Sequence, residues 1–478
     1  MDAKVYKNSA ILVLLRVIEP LLSLIVLTAI SRSMGPETLG SYSFLLTYAG
    51  MISVFGQMGL SQLLTREIAK HKEAATTYLN SSVIIGLGTS LPAMLVLNLS
   101  DHFYQLTPEV RFCLILLSCS ILPAFITAAF ESVFMAFEQM ELILYRRLVA
   151  SLFRVTLMLL AVWQGYPLKY LVLIDVCNSV LSVFICAQAF HRRIARLHPN
   201  IDWANVVSLL RQSPAFFGLT VLTVLASRSD ILVLARLSTM QEVAFYTLAL
   251  KIYDVGVILP QAYVKAAFPR LSELFMSGSK ASFQLVIQKL SVHVLAYSAI
   301  AACVLITIGP VALQLVFGER YAGSLNPLRL LSLGIIPYSV GRVLSTALTA
   351  SNQQRFDLIA AICATTFILT MNVALVPRFG SIGTALAFSS TVTLGCSILA
   401  GCSIRTLGWN FMVRALKWSG GVVLAVSGLF WLALYHDVLA TVAFGLVFVT
   451  GSAIYLLTNN RWKQVPSGVL MTCRNLMK

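Results

Sequence analysis

Apolar runs of ~18–25 residues, parted by short polar breaks, recur along this chain from end to end, and that is the length an α-helix needs to cross hydrocarbon. No other feature constrains the fold as strongly. Inside a bilayer every backbone N–H and C=O must be paired within the protein, so only helices and closed barrels span it. Barrel strands are ~10 residues long and alternate strictly; these runs are longer and do not alternate. Composition agrees, with 58% of the 478 residues hydrophobic and 11% charged, against ~45–50% and ~25% in soluble domains. A soluble fold of this size could not hide so much apolar surface. The expected fold is all-α and polytopic.

Fourteen spans follow from the runs: approximately 9–31, 41–64, 79–99, 112–137, 148–163, 169–190, 214–235, 243–264, 287–316, 328–350, 358–376, 382–404, 418–435 and 438–457. Lys4 and Lys7 precede the first, but that run is long, carries Arg16 and Glu19 and lacks an Ala-x-Ala cleavage site. It reads as an uncleaved span rather than a signal peptide. Placing the N-terminus inside puts 23 Lys and Arg in cytoplasmic segments and 7 in outer loops, so both termini are expected in the cytoplasm. The same preference accounts for the net charge of +16; no polar segment interleaves basic residues with stacking aromatics, and nucleic acid is not an expected partner. The nine cysteines are dispersed without a CxxC pair and read as small buried hydrophobes.

An internal repeat appears at a shift of 204, which carries Arg32 to Arg236, Tyr42 to Tyr246, Leu46 to Leu250 and Arg66 to Arg270. At a shift of 214, Pro123 maps to Pro337 and Gln139 to Gln353. Spans 1–6 therefore resemble spans 7–12, and an even number per half gives both the same sense, which is a transporter plan. The expected organisation is an N-terminal lobe over 1–190, a cytoplasmic amphipathic linker over 191–213, a C-terminal lobe over 214–404, and an appended helix pair with a tail over 405–478. In the linker, basic residues beside Ile201, Trp203 and the Val206, Val207, Leu209, Leu210 cluster suit a helix lying in the membrane interface.

Charged residues inside a bilayer cost at least ~2.5–3.5 kcal/mol each on insertion scales, so they mark where function sits. The set is Arg16, Glu19, Glu131, Arg154, Asp175, Arg228, Asp230, Lys251, Asp254 and Arg342. Helical spacing gathers most of them onto polar stripes. Span 1 carries Arg16, Glu19 and Ser23; span 4 carries Ser120, Thr127 and Glu131; span 7 carries Thr220, Thr223, Ser227 and Asp230, with Arg228 beside it. Span 8 carries Thr247, Lys251, Asp254 and Gln261, and span 10 carries Tyr338, Arg342, Ser345 and Thr349. With a further stripe on span 2, these imply a hydrophilic cavity lined by spans 1, 2, 4, 7, 8 and 10. A second reading stays open: Arg16/Glu19 and Lys251/Asp254 at i,i+3, and the adjacent Arg228/Asp230, are self-neutralising pairs that only hold helices together. Arg342 has no local acid and calls for an anion or a distant carboxylate, and its place on a polar stripe favours substrate contact. Arg154 sits among apolar neighbours, where it would snorkel or pair with Glu131 or Asp175.

Enzyme chemistry finds no support. Of six histidines only His293 lies in a span, no HxxxH or HExxH occurs, and no GxxxxGK[ST] supplies an ATPase. No metal site and no cofactor is expected.

The segment SRSMGPETLGSYSFLLTYAG with GQMGLSQLLTREIAK, over residues 31–70, resembles the first loop and second span of bacterial polysaccharide flippases of the multidrug/oligosaccharidyl-lipid/polysaccharide exporter superfamily. The similarity continues through SRSDILVLARL, EVAFYTLALKIYDV, AAFPRLSELF, YAGSLNPLRLLSLGIIP, LTASNQQ and LVPRFGSIGTALA. It implies fourteen spans in two six-helix lobes and alternating access. The implied substrate is an oligosaccharide on undecaprenyl diphosphate, such as an O-antigen repeat, moved from the cytoplasmic to the periplasmic leaflet of the inner membrane. The implied partners are membrane lipids and the polymerase and chain-length proteins of the same assembly route. Arg16, Arg228, Lys251 and Arg342 are the positions here that would meet diphosphate or acidic sugar, since arginine binds phosphate oxygens bidentately. Glu19, Asp230 and Asp254 are the candidates for ion or proton coupling. A lipid II flippase and a drug/cation antiporter of the same superfamily remain as alternatives. A membrane enzyme of polysaccharide assembly is a more distant one, because the outer loops are short.

Overall fold

The computed structural model describes residues 3–99, 101–195 and 202–407, with side chains from 18 onward except at 101, 102, six positions between 215 and 227, and 405–407. Expected spans 13 and 14, part of the linker and the side chain of Arg16 lie outside the described residues.

Every described regular element is helical. In chain order they are α1 (Ala3–Met34), α2 (Pro36–Gln57), α3 (Leu60–Lys70), α4 (Ala75–Leu99), α5 (Asp101–Tyr104), α6 (Pro108–Ser118), α7 (Ile121–Ala136), α8 (Met140–Trp163), α9 (Leu168–Arg193), α10 (Trp203–Leu237), α11 (Met240–Met276), α12 (Lys280–Thr307), α13 (Gly309–Phe317), α14 (Leu325–Ala350) and α15 (Gln354–Leu407). Eight described stretches are long and apolar enough to cross a membrane: Pro36–Gln57, Lys72–Leu99, Pro108–Ala136, Leu168–Arg193, Met240–Met276, Lys280–Thr307, Glu319–Ala350 and Gln354–Ile404.

Several boundaries differ from the sequence expectation for local reasons. Expected span 2 ends early, because Met58 and Gly59 both take left-handed backbone (φ 46 and 68) and part α2 from α3. Expected span 4 is two helices. The N–H groups of Cys119 and Ser120 bond back three residues, to Leu116 and Leu117, which tightens the backbone between α6 and α7. Expected span 5 begins eight residues too late, since nothing in Met140–Arg147 breaks a helix. In the described part of the linker, α10 starts at Trp203, capped by Asp202 accepting from Ala204 N (2.9 Å) and Asn205 N (3.3 Å), and runs on through Pro214 into span 7. Spans 11 and 12 join at Gly380, whose φ of 54 and ψ of −129 turn α15 sharply.

The chain divides into two compact units. The first comprises Met1–Thr247, Phe317–Gly323 and Thr365–Thr384. In it α1 packs on α8, α8 on α9, α2 on α4, and α7 on α3, α4 and α9, with α10 against α2, α3 and α4. One of its apolar clusters joins Leu63 and Leu64 of α3, Ile85 of α4, Phe130 and Phe134 of α7, and Phe190 of α9. At one end of this unit second-half segments dock on the first half. Tyr321 is fully buried and donates to the Ser31 carbonyl at 3.2 Å, and Arg236 stands over the Phe103 ring at 5.1 Å. Glu242 accepts the Ser381 N–H at 2.8 Å, capping the helix restarted after Gly380. The second unit comprises Leu248–Val316, Ser324–Ala364 and the chain from Ala385 onward. Here α12 packs on α14, and Ser389 of α15 donates to the Leu330 carbonyl of α14 at 2.7 Å beside Gly334.

Gly40 of α2 packs directly on α11 within the first unit. A Cβ there would lie 1.7 Å from the Met240 carbonyl oxygen, which is backbone and cannot swing aside. Gly50 of the same helix faces open space. Gly40→Ala is therefore expected to cost about 1–3 kcal/mol by overpacking, whereas Gly50→Ala is neutral or stabilises by up to about 1 kcal/mol through helix propensity. Thermal unfolding of the purified variants checks both, with a lower melting temperature expected for Gly40→Ala alone.

Candidate functional site

Two ionic networks lie among the described residues of the first unit, the first buried and the second partly open. The first joins α2, α8 and α9. Asp175 sits on α9, buried, and accepts from Arg154 Nε at 2.6 Å and from the Tyr42 hydroxyl at 2.9 Å. The same hydroxyl accepts from Arg154 Nη2 at 2.7 Å. Each member thus bonds both others, and the charge of Arg154 is neutralised where burial would otherwise be expensive. Of the partners open to Arg154 from the sequence, Asp175 is the one it takes.

The second network joins α1, α7 and α8. Glu131 of α7 accepts a fork from Arg147, Nε at 3.1 Å and Nη2 at 3.0 Å on separate oxygens, and a further bond from Arg146 Nη2. Arg147 Nη1 also reaches both oxygens of Glu19 on α1, at 3.3 and 3.4 Å. Arg146 and Arg147 were not among the residues expected to matter. Counting them in a cytoplasmic loop placed them outside the spans, yet they stand two turns inside α8. The missing signal was the absence of Gly, Pro or a turn pair after Gln139.

The remaining expected residues fall in both units. Asp230 on α10 is 1% exposed; it accepts the Tyr246 hydroxyl and its own neighbour's N–H, Ile231, at 2.8 Å. Tyr42 and Tyr246, which align in the repeat, are thus both buried and both donate to an aspartate. Arg228 is half-buried beside it. In the second unit Lys251, Asp254 and Arg342 are half-buried. The polar stripes of α11 and α14 meet there. Gln261 Nε2 donates to the Tyr338 hydroxyl at 2.8 Å, Tyr253 lies edge-on to Tyr338 at 6.4 Å, and both Asp254 and Arg342 are within electrostatic reach of that hydroxyl. This places Arg342 and Asp254 in one polar cluster and Glu19 in another. Among the described residues no group of three His, Cys, Asp or Glu is arranged to hold a metal ion.

Residues 5–275 match the family described as "Polysaccharide biosynthesis protein", more than half of the chain. The chain belongs to that family. A protein of Shigella flexneri named "Putative O-antigen transporter" is 22% identical over 387 residues, covering 77% of this chain and 90% of that protein. The solved structure of the lipid II flippase MurJ in an inward closed conformation has the same fold at a TM-score of 0.73, with 15% identity, covering 92% of this chain and 98% of that one. An inward-facing multidrug resistance transporter of the MATE family matches at 0.65 and 14% identity, covering 87% and 99%. The family member described here is thus a polytopic helical membrane protein with the fold of these transporters.

Removing one partner of a buried ion pair strands the other, at about 3–5 kcal/mol, whereas replacing both by apolar residues of similar volume is often neutral. Asp175→Asn is accordingly expected to unfold or sharply destabilise the first unit, and Asp175→Leu with Arg154→Met to restore stability. Detergent melting temperatures of the single and double variants check this.

Proposed function

We propose that this chain is a flippase for oligosaccharide linked to undecaprenyl diphosphate, such as an O-antigen or other surface-polysaccharide repeat, carried from the cytoplasmic to the periplasmic leaflet of the inner membrane. The observation that carries the reading is the pairing of family and site: a polysaccharide biosynthesis family member with a transporter fold keeps Glu131 and Asp175 on stretches long and apolar enough to cross a membrane, each paired with arginine of α8. Intramembrane ionisable groups are kept where a polar substrate or ion must pass. The sugar and diphosphate travel along the polar stripes while the polyprenyl tail remains in lipid. Arg16, Arg228, Lys251 and Arg342 replace phosphate hydration on the way, and both termini face the cytoplasm. Movement out of a negative-inside cell is favourable for an anion by ~2.3 kcal/mol per charge per 100 mV; Glu19, Asp230 and Asp254 are the groups through which an ion or proton gradient would couple instead.

A lipid II flippase is the second reading, supported by the likeness of fold to MurJ. Basic residues on the stripes of α10, α11 and α14 weigh against a drug/cation antiporter, whose path would be acidic.

In proteoliposomes carrying a fluorescent undecaprenyl-diphosphate oligosaccharide, the wild-type chain is expected to move the lipid between leaflets. Arg342→Ala is expected to reduce the initial rate at least tenfold, with Arg228→Ala acting in the same direction. Unchanged rates in both folded variants would make these arginines structural.

A further inference from the structure

We infer that Arg147 is a phosphate-binding residue and that Glu19 holds its place in the absence of substrate; the inference rests on the flippase reading and assigns the loading site for the lipid's diphosphate. The contacts around the Arg147 guanidinium are asymmetric. On one edge Arg147 makes a fork with Glu131 at 3.0 and 3.1 Å, the geometry that fixes an arginine in place. The Arg147–Glu131 pair is also braced by Arg146, and the side chains of Glu131 and Arg146 are only 13% and 14% exposed. On the other edge, a single nitrogen, Nη1, meets Glu19 at 3.3 and 3.4 Å, longer than either bond of the fork. Glu19 is 40% exposed and Arg147 is 32% exposed.

Charges on spanning helices do not open onto hydrocarbon. The open edge of the pair therefore faces water or headgroups. Glu131 alone leaves the cluster with two guanidinium groups against one carboxylate, so Glu19 supplies the balancing negative charge. A phosphate oxyanion carries the same charge and the same pair of oxygens for Nη1, and can take over that edge while Glu19 turns outward. The firm edge would then present the guanidinium, already oriented, to the ligand. Position fits loading. Arg147 lies seven residues into α8 and Glu131 five residues before the end of α7, roughly 10 Å or less along either helix from the turn that joins them. In the proposed orientation that turn is cytoplasmic, so Arg147 and Glu131 lie toward the inner leaflet, where the substrate is made.

A phosphate at this depth belongs either to the polyprenyl diphosphate or to an anionic phospholipid. Equilibrium binding to the full chain in zwitterionic-lipid nanodiscs separates them, with undecaprenyl diphosphate, inorganic pyrophosphate and phosphatidylglycerol as probes. Glu19→Gln keeps the Glu131 fork and removes the competing carboxylate, so undecaprenyl diphosphate is expected to bind at least fivefold tighter than to wild type, a gain that misfolding cannot produce. Arg147→Lys keeps the charge but loses the fork, and is expected to bind at least tenfold weaker. Pyrophosphate should follow the same order at lower affinity, and phosphatidylglycerol should show no dependence on Glu19. Unchanged or weaker diphosphate binding by a Glu19→Gln variant of wild-type melting temperature overturns the assignment. So does binding of neither diphosphate probe, or a Glu19 effect on phosphatidylglycerol as large as that on the diphosphate. Wild-type flipping together with an unaltered Glu19→Gln affinity removes this site and leaves the flippase reading standing. A tighter Glu19→Gln variant without wild-type flipping does the reverse.

Discussion

A charge withdrawn from water must be met by an opposite charge and hydrogen bonds, and in a chain this apolar that requirement organises the first unit. Arg154 cannot be housed between α8 and α9 without Asp175, and the pair is completed by Tyr42 from α2. The consecutive helices α8 and α9 and the distant α2 are thereby held in one register, since a slip of any one strands a buried ion. The Glu131 cluster does the same for α1, α7 and α8. Hydrocarbon-facing leucines are nearly interchangeable partners; the ions are not.

The two networks differ in how completely they are closed. In the Tyr42–Asp175–Arg154 set every member bonds the other two, which suits a fixed structural joint. In the Glu131 set one carboxylate is gripped and the other is held loosely at an open edge. A transporter needs both kinds. Joints keep each bundle rigid, and an exchangeable pair lets a charged headgroup enter without leaving a bare guanidinium behind when it departs. The polar cluster of Gln261, Tyr338, Asp254 and Arg342 on α11 and α14 offers a second set of polar groups further along the chain.

Much of this was legible in the sequence because bilayer length and hydropathy act on long segments. Expected spans 169–190 and 328–350 correspond to α9 at Leu168–Arg193 and α14 at Leu325–Ala350. Intramembrane charges are also conspicuous, which is why Asp175 stood among the partners considered for Arg154. What escaped was governed by short-range detail. The break at Met58–Gly59 depends on two left-handed residues that leave no mark in hydropathy. By hydropathy Arg146 and Arg147 fall in a polar break, whereas α8 extends through them and pairs both with Glu131. Tyr42 was visible only as a repeat position matching Tyr246; that both hydroxyls serve buried aspartates requires knowing which helices touch.

The central claim is one of substrate class, and transport selectivity in a single proteoliposome preparation tests it most directly. Fluorescent undecaprenyl-diphosphate oligosaccharide, lipid II and a cationic dye would be followed under the same imposed potential and pH gradient. The account predicts that the oligosaccharide lipid crosses fastest and that the dye is not moved. Gradient-driven dye movement with both lipids stationary would contradict it.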